Sequence, residues 1–101
     1  MRVIVMFDLP AVTAKEKAVH ARFRKDLIRE GFLMMQESVY SKLALNAVSA
    51  NLIRDRINQI KPPRGIIQIL TITEKQYSHI EYLLGGPQTE QVDSEERMLV
   101  F

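Results

Sequence analysis

The chain opens on an apolar run that predicts a buried strand. Residues 2–7 are rich in β-branched and apolar side chains, which is typical of a strand inside a sheet. Asp8 stands where that strand should end, and Pro10 lacks the backbone donor needed to continue it. A carboxylate held at the tip of a buried strand is a candidate functional acid, whereas the alternative is that Asp8 only caps the following turn.

The next segment predicts a helix that ends near Glu30. Thr13 and Glu16 fit a capping box, and Gly31 suits the left-handed residue that follows many helices. Four apolar positions recur at helical spacing and are expected to pack on the sheet: Val19, Phe23, Leu27 and Ile28.

The remaining pattern predicts further strands and one more long helix. Phe32–Leu43 has strand character, either as one long strand or as a hairpin arm, and Leu45–Ile60 has helical spacing. Ile66–Thr73 is a nearly unbroken apolar strand, and Glu74–Ser78 is expected to form a turn or a single helical turn. His79–Leu84 is predicted as a fourth strand.

This order of elements predicts an α+β fold, a ferredoxin-like βαββαβ sandwich, with β-α-β-α-β-β as the alternative. Residues 1–84 form the predicted domain, and residues 85–101 a polar linker and an extra C-terminal strand, Arg97–Phe101. Two helices cover only one face of such a sheet, although the first and third predicted strands are apolar on both faces. We therefore expect a symmetric homodimer, in which the terminal strand pairs with the partner's sheet edge.

Composition narrows the functional classes. The chain has 101 residues, 47% of them hydrophobic, which suffices for one folded domain. It has no Cys, which excludes disulfides, thiolate metal sites and cysteine nucleophiles. No apolar run has membrane-spanning length and no signal peptide precedes the first strand, so we expect a cytoplasmic protein without a membrane partner.

Positive charge is concentrated in the first predicted helix, although the net charge is only +2. Aligned cations are what phosphate neutralisation requires, so this segment is a candidate nucleic-acid surface, with an ordinary solvated helix face as the alternative. The candidate contacts are Lys15, Arg22, Arg24, Lys25 and Arg29.

Catalytic chemistry depends on Asp8. The sequence has no Gly-rich phosphate loop and no hydrolase motif, and His20 and His79 lack metal-ligand spacing. Mg²⁺ requires several oxygen ligands, so one carboxylate is insufficient. Across a homodimer axis, two copies of Asp8 would share one Mg²⁺, and Ser38 is a candidate polar neighbour, unless its hydroxyl is simply a polar strand position.

Segments spread along the whole chain resemble the CRISPR-associated protein 2 family, most closely the members that accompany type II systems. The matching segments are Val3–Pro10, Phe23–Lys25, Glu30–Phe32, Gln36–Lys42, Leu70–Gln76 and Leu99–Phe101. One departure is Glu37, which stands where relatives often have an aromatic residue.

The resemblance implies a ferredoxin-like homodimer whose Asp8 is the divalent-metal ligand and catalytic acid of an endonuclease that acts on RNA or double-stranded DNA. It also implies a role in spacer acquisition, in which one dimer of this chain bridges two dimers of the CRISPR integrase subunit and supports foreign DNA. The alternatives are a non-catalytic DNA-binding scaffold and, outside the family, a ferredoxin-like regulatory domain for a small ligand.

Overall fold

The computed structural model describes residues 1–87, so most of the predicted linker and the predicted terminal strand lie outside the described residues. Four strands form one sheet in the order β2-β3-β1-β4, and every neighbouring pair is antiparallel. This arrangement confirms the ferredoxin-like βαββαβ prediction. The elements are β1 (Arg2–Asp8), α1 (Ala14–Arg29), β2 (Leu33–Gln36), β3 (Val39–Leu43), α2 (Ala47–Ile60), β4 (Ile66–Ile72) and α3 (Glu74–Ser78).

Capping residues begin the two long helices where side-chain oxygens meet the first free amides. Thr13 and Glu16 form the predicted capping box of α1. In α2 the Asn46 side chain accepts a hydrogen bond from the backbone N–H of Ser49, so the helix starts after Leu45 rather than at it. Lys61 ends α2 in an extended conformation before the two prolines.

The structure decides one open alternative about the strands and corrects one prediction. The segment Phe32–Leu43 is a hairpin, with a turn at residues 37–38 between β2 and β3. The fourth strand predicted at His79–Leu84 is wrong. The capping box of α3 places Glu74–Ser78 in a helix. The backbone N–H groups of His79 and Ile80 then donate hydrogen bonds to the carbonyl oxygens of Gln76 and Tyr77 instead of joining the sheet.

The inward stripe of α1 also differs from the prediction. Phe23 and Leu27 are buried as expected, but Val19 and Ile28 are 38% and 40% exposed. The neighbouring His20 faces the core instead of Val19, and its ring centroid lies 5.7 Å from that of Phe7. Its apolar ring body contacts the core although its nitrogens are polar.

The core fills the space between the sheet and the helices. Phe7 is its centre, stacked on Tyr40 at 5.8 Å and meeting Phe23 edge-on at 5.1 Å. The other buried residues come from β1, from the two long helices and from positions that directly flank β1, β2 and β3: Val3, Val5, Leu9, Leu27, Phe32, Ala44, Ala50 and Ile57.

The opposite side of the sheet is largely uncovered by the described residues, and we call it the open face. Ile4 and Ser41 lie opposite each other at its centre and are buried, but the surrounding apolar side chains are 37–60% exposed. These exposed members are Leu33, Leu43, Ile66 and Leu70.

An ion pair fastens α3 to the β1 side of the open face. The Arg2 guanidinium donates to both Glu74 carboxylate oxygens, at 2.7 and 3.1 Å, and lies 4.1 Å from the Tyr77 ring centroid. This hydrogen bonding from Arg2 lowers the pKa of Glu74 below its usual value of 4.5.

Candidate metal and nucleic-acid site

Asp8 ends β1 at the rim of the open face, where its carboxylate is exposed. Its chain neighbours Phe7 and Leu9 are both buried on the helix side, at 6% and 7% exposure. Because side chains alternate along a strand, Asp8 belongs to the other side of the sheet. The buried neighbours fix the backbone, so the sequence places a solvent-facing acid on a rigid support.

A turn on one side of β1 supports this position. The carbonyl of Ser38 accepts a hydrogen bond from the backbone N–H of Phe7 at 3.0 Å. Ser38 lies in the β2–β3 turn rather than in a strand, and it has a positive φ of 65°. The structure therefore places the backbone of Ser38 next to the end of β1.

A glycine supports the other side. Asp8 pairs with Ile66 of β4, and Gly65 before it has a φ of +109°. A Cβ at Gly65 would lie 2.6 Å from Leu9 Cδ2 and 2.9 Å from the Asp8 carbonyl oxygen. Only a residue without a side chain permits this approach, which packs the α2–β4 loop against the site.

One chain offers few metal ligands here. Glu37 is exposed in the β2–β3 turn directly before Ser38, whose carbonyl accepts from Phe7, so a second exposed acid lies near this end of the sheet. Within residues 1–87, no group of three or more His, Cys, Asp or Glu side chains could hold a metal ion. The His20 ring packs on Phe7, and His79 is the C-terminal cap of α3.

Four of the five candidate nucleic-acid contacts are exposed on α1. Lys15 and Lys25 are exposed, and so are Arg22 and Arg29. The last two share the carboxylate of Asp26, with nitrogen–oxygen distances of 4.0 and 3.5 Å. At such exposure these ion pairs hold the arginines only weakly, so both remain accessible to a phosphate.

Arg24 differs from the other candidates because it turns toward the sheet. Its Nε donates to the hydroxyl of Tyr40 at 2.9 Å, and the Tyr40 side chain is fully buried. A buried phenol needs such a partner, since an unpaired polar group in the core is costly. The structure therefore separates Arg24 from the exposed cations of α1.

A recess beside the site was missed by sequence reasoning. It has a volume of about 380 Å³ and lies between the β1–α1 loop, the start of α1 and Pro62–Arg64. Glu16 at its wall accepts hydrogen bonds from the backbone N–H groups of Thr13 and Val12, which lower its pKa below 4.5, and Arg64 adds to this effect. In the sequence, the doubled proline followed by Arg64 and Gly65 marks the loop that forms one wall of this recess.

Comparison with known proteins gives the family. The family described as CRISPR associated protein Cas2 matches residues 1–80. The chain belongs to this family. It is 47% identical to the CRISPR-associated endoribonuclease Cas2 of Treponema denticola and 42% identical to that of Ligilactobacillus salivarius, and each match covers 99% of both chains.

A solved structure agrees with the Cas2 fold. The crystal structure of Streptococcus pyogenes Cas2 at pH 6.5 matches with a TM-score of 0.61 and 20% sequence identity, covering 82% of this chain and 99% of that one. Among residues 1–87, no helix combines the length and apolar character needed to cross a membrane.

Proposed function

We propose that this chain is a metal-dependent nuclease that hydrolyses phosphodiester bonds in RNA or DNA, with Asp8 as metal ligand and catalytic acid. The observation that carries the proposal is the exposed Asp8 carboxylate, fixed between the buried Phe7 and Leu9 at the rim of the open face. The relatives from Treponema denticola and Ligilactobacillus salivarius bear the name endoribonuclease, which supports the same class of reaction.

The donor set favours Mg²⁺ bound between two copies of the chain. A carboxylate is the hard oxygen ligand that this ion takes, and Mg²⁺ keeps several waters and accepts substrate phosphate oxygens. Asp8 alone supplies too few ligands within one chain, so a second Asp8 would complete the site. When bound, the ion would activate water and offset charge on the scissile phosphate.

The open face supports the homodimer that this site requires. Leu33, Leu43, Ile66 and Leu70 are between 37% and 60% exposed there, and Asp8 lies at the rim of the same face. A second copy packed on this face would bury those side chains and bring two Asp8 carboxylates toward one axis.

The chain's own residues have distinct parts in this proposal. Ser38 and Gly65 hold the end of β1 from its two sides, and thereby orient the carboxylate of Asp8. The exposed cations of α1 attract the phosphate backbone of the substrate. Neither of these two roles requires a catalytic side chain besides Asp8.

The same surfaces support a second function, assembly on DNA during spacer acquisition. In this function the homodimer bridges two dimers of the CRISPR integrase subunit, and the α1 cations hold foreign double-stranded DNA. The exposed side chains of Lys15, Arg22, Lys25 and Arg29 favour it, because each neutralised phosphate releases counterions.

Cleavage assays with purified Asp8→Asn protein test the nuclease. Cleavage of labelled RNA or duplex DNA in Mg²⁺ should fall by about a hundredfold or more, since the substitution removes the charge that holds the ion. Glu37→Gln is the matched control, because it removes an exposed acid at the same end of the sheet. Undiminished cleavage by Asp8→Asn protein would contradict the proposal.

Charge reversal on α1 tests the DNA-binding function separately. The triple substitution Arg22→Glu, Lys25→Glu, Arg29→Glu should weaken duplex binding and reduce its salt dependence by a slope of about 2 to 3. An unchanged salt dependence would show that these three side chains do not contact DNA phosphates. It would have no bearing on the proposed metal site.

A further inference from the structure

One arginine of α1 is linked to the part of the core that supports Asp8. Among the five candidate cations of α1, Arg24 is only partly exposed, whereas the other four are exposed. Its Nε donates a hydrogen bond to the hydroxyl of Tyr40 at 2.9 Å, and the Tyr40 side chain is fully buried. A charged donor makes a stronger hydrogen bond than a neutral one. Arg24 therefore fixes the Tyr40 side chain from the α1 side.

Tyr40 in turn supports Phe7, the residue directly before Asp8. The Tyr40 and Phe7 rings are stacked, with centroids 5.8 Å apart and an angle of 23° between their planes. Phe7 also meets the ring of Phe23 edge-on, with centroids 5.1 Å apart. Because Phe23 and Arg24 are consecutive residues of α1, this helix contacts both members of the Phe7–Tyr40 pair.

The strand that carries Tyr40 holds Phe7 through the backbone as well. The carbonyl of Ser38, which lies just before β3, accepts a hydrogen bond from the backbone N–H of Phe7 at 3.0 Å. The start of β3 thus contacts both the ring and the amide of Phe7. A shift of Tyr40 would disturb both contacts, and one peptide bond joins Phe7 to Asp8.

We propose that Arg24 is a positioning residue for Asp8, which acts through Tyr40 and Phe7 and does not itself contact nucleic acid. This inference rests on the proposed nuclease function, because it names the side chain that fixes the direction of the Asp8 carboxylate. Groups that orient a metal ligand typically contribute about 10- to 100-fold to metal affinity or activity. A displacement of about 1 Å at a reacting group has a comparable effect on rate.

Three side chains of matched length separate the hydrogen bond of Arg24 from its charge. In Arg24→Met a methyl carbon takes the place of Nε, so both the donor and the charge are lost. In Arg24→Gln an amide nitrogen stands the same number of bonds from the backbone as Nε, so a neutral donor remains. A positioning role requires the donor, whereas a phosphate contact requires the charge.

Amide hydrogen exchange in the metal-free protein tests the positioning role without any catalysis. Arg24→Met should accelerate exchange of the Phe7 amide at least about fivefold more than that of the Val3 amide, which lies at the other end of β1. Arg24→Gln should retain most of the protection of Phe7. Equal acceleration at Phe7 and Val3 would show that Arg24 only stabilises the chain as a whole, and would overturn the inference.

Metal binding and kinetics give a second readout, with Lys25 as the contrast because its exposed side chain follows Arg24 directly. Arg24→Met should weaken Mn²⁺ binding about tenfold and lower kcat about tenfold, while KM for the cleaved nucleic acid changes less than about twofold. Lys25→Met should instead weaken duplex binding and its salt dependence, and leave Mn²⁺ affinity unchanged. Duplex binding that weakens in Arg24→Met and Arg24→Gln as it does in Lys25→Met would make Arg24 a phosphate contact and overturn the inference.

Tyr40→Phe tests whether Arg24 acts through the phenol, since it keeps the ring stacked on Phe7 and removes the acceptor. It should reproduce the loss of Mn²⁺ affinity in Arg24→Met, and the double variant should lose less than about twofold more than either single variant. Additive losses would show that the two residues act independently, and would also overturn the inference. Undiminished cleavage by Asp8→Asn protein would contradict the nuclease instead, while exchange at Phe7 in the metal-free protein would still decide the role of Arg24.

Discussion

The two faces of the sheet are built from the same strands yet differ in what covers them. On the helix side Val3, Val5 and Phe7 are at most 6% exposed beneath α1 and α2. On the open face Leu70 and Ile66 remain 49% and 60% exposed. The described residues, 1–87, thus cover one apolar surface with helices and leave most of the other exposed.

This difference separates stability from function. The helix side carries the core, and its side chains have no access to a ligand. The open face carries Asp8 at its rim, so covering it with a second copy would join dimerisation to the proposed chemistry. Substitutions on the two faces should therefore have different consequences, and the following predictions use that contrast.

The largest effect on stability is expected on the helix side. Leu27→Ala should lower the free energy of unfolding by about 3 kcal/mol, because the side chain is fully buried and its removal leaves a cavity. Leu70→Ala is the matched change on the open face and should cost less than about 1 kcal/mol in the isolated chain. Chemical denaturation of dilute protein measures both, and equal losses would erase the distinction between the faces.

Homodimer formation should instead depend more on the open face than on the helix side. Leu70→Asp places a charge on the open face and should raise the Kd of the proposed homodimer by at least about thirtyfold, corresponding to about 2 kcal/mol. Lys75→Asp, which changes an exposed residue of α3, serves as the control. Sedimentation equilibrium measures the Kd, and an unchanged value for Leu70→Asp would place the dimer contact elsewhere.

Gly65→Ala tests the close contact between the α2–β4 loop and the end of β1 that carries Asp8. It should destabilise the chain by about 2 kcal/mol, since the new Cβ would meet Leu9 Cδ2 and the Asp8 carbonyl in a backbone conformation that disfavours side chains. Gly31→Ala shares a positive φ, but its nearest neighbour is the flexible end of Lys42 at 3.3 Å. Gly31→Ala should therefore cost less, and only Gly65→Ala should impair cleavage. An equal loss of cleavage in both variants would contradict the support assigned to Asp8.

The smallest effects are expected from one exposed ion pair on each side. Hydrogen bonds from Arg56 lower the pKa of Glu30 below 4.5 at the α1–α2 contact, and those from Arg2 lower the pKa of Glu74 at the open face. A lowered folded-state pKa stabilises the chain above the unfolded value, and this stability is lost as pH falls through the folded value.

Unfolding free energies measured from neutral pH down to about pH 3 should therefore decline less steeply in Glu30→Gln and Glu74→Gln than in the unmodified chain. The decline should be steepest below about pH 4.5, where more than half of the unfolded carboxyls have bound a proton. Unchanged profiles in both variants would show that these pairs do not contribute in solution.

The architecture followed from local patterns in the sequence. The apolar run before Asp8, the capping box at Thr13 and the stop at the two prolines placed β1, α1 and the end of α2. The hairpin turn was harder to locate, because Glu37 and Ser38 are not the residues that mark most tight turns. His79–Leu84 has strand-forming residues, but the α3 cap determines the hydrogen bonding of its first amides.

The candidate site was only partly accessible to sequence reasoning. Asp8 could be found because it follows a buried strand directly. Arg24 was grouped with the other α1 cations, since its contact with Tyr40 joins residues sixteen apart in the chain and depends on tertiary packing. The recess beside Asp8 joins the start of α1 to the loop after α2; the doubled proline marks that loop, but no local spacing indicates the contact between the two segments.

The central claim is that two copies of Asp8 hold one divalent ion across the open faces. Titration of the unmodified protein with Mn²⁺, followed by electron paramagnetic resonance and calorimetry, should saturate at one tightly bound ion for each pair of chains. Asp8→Asn protein should remain a homodimer and lose that ion. One ion for each single chain, or full binding by Asp8→Asn protein, would contradict the shared site.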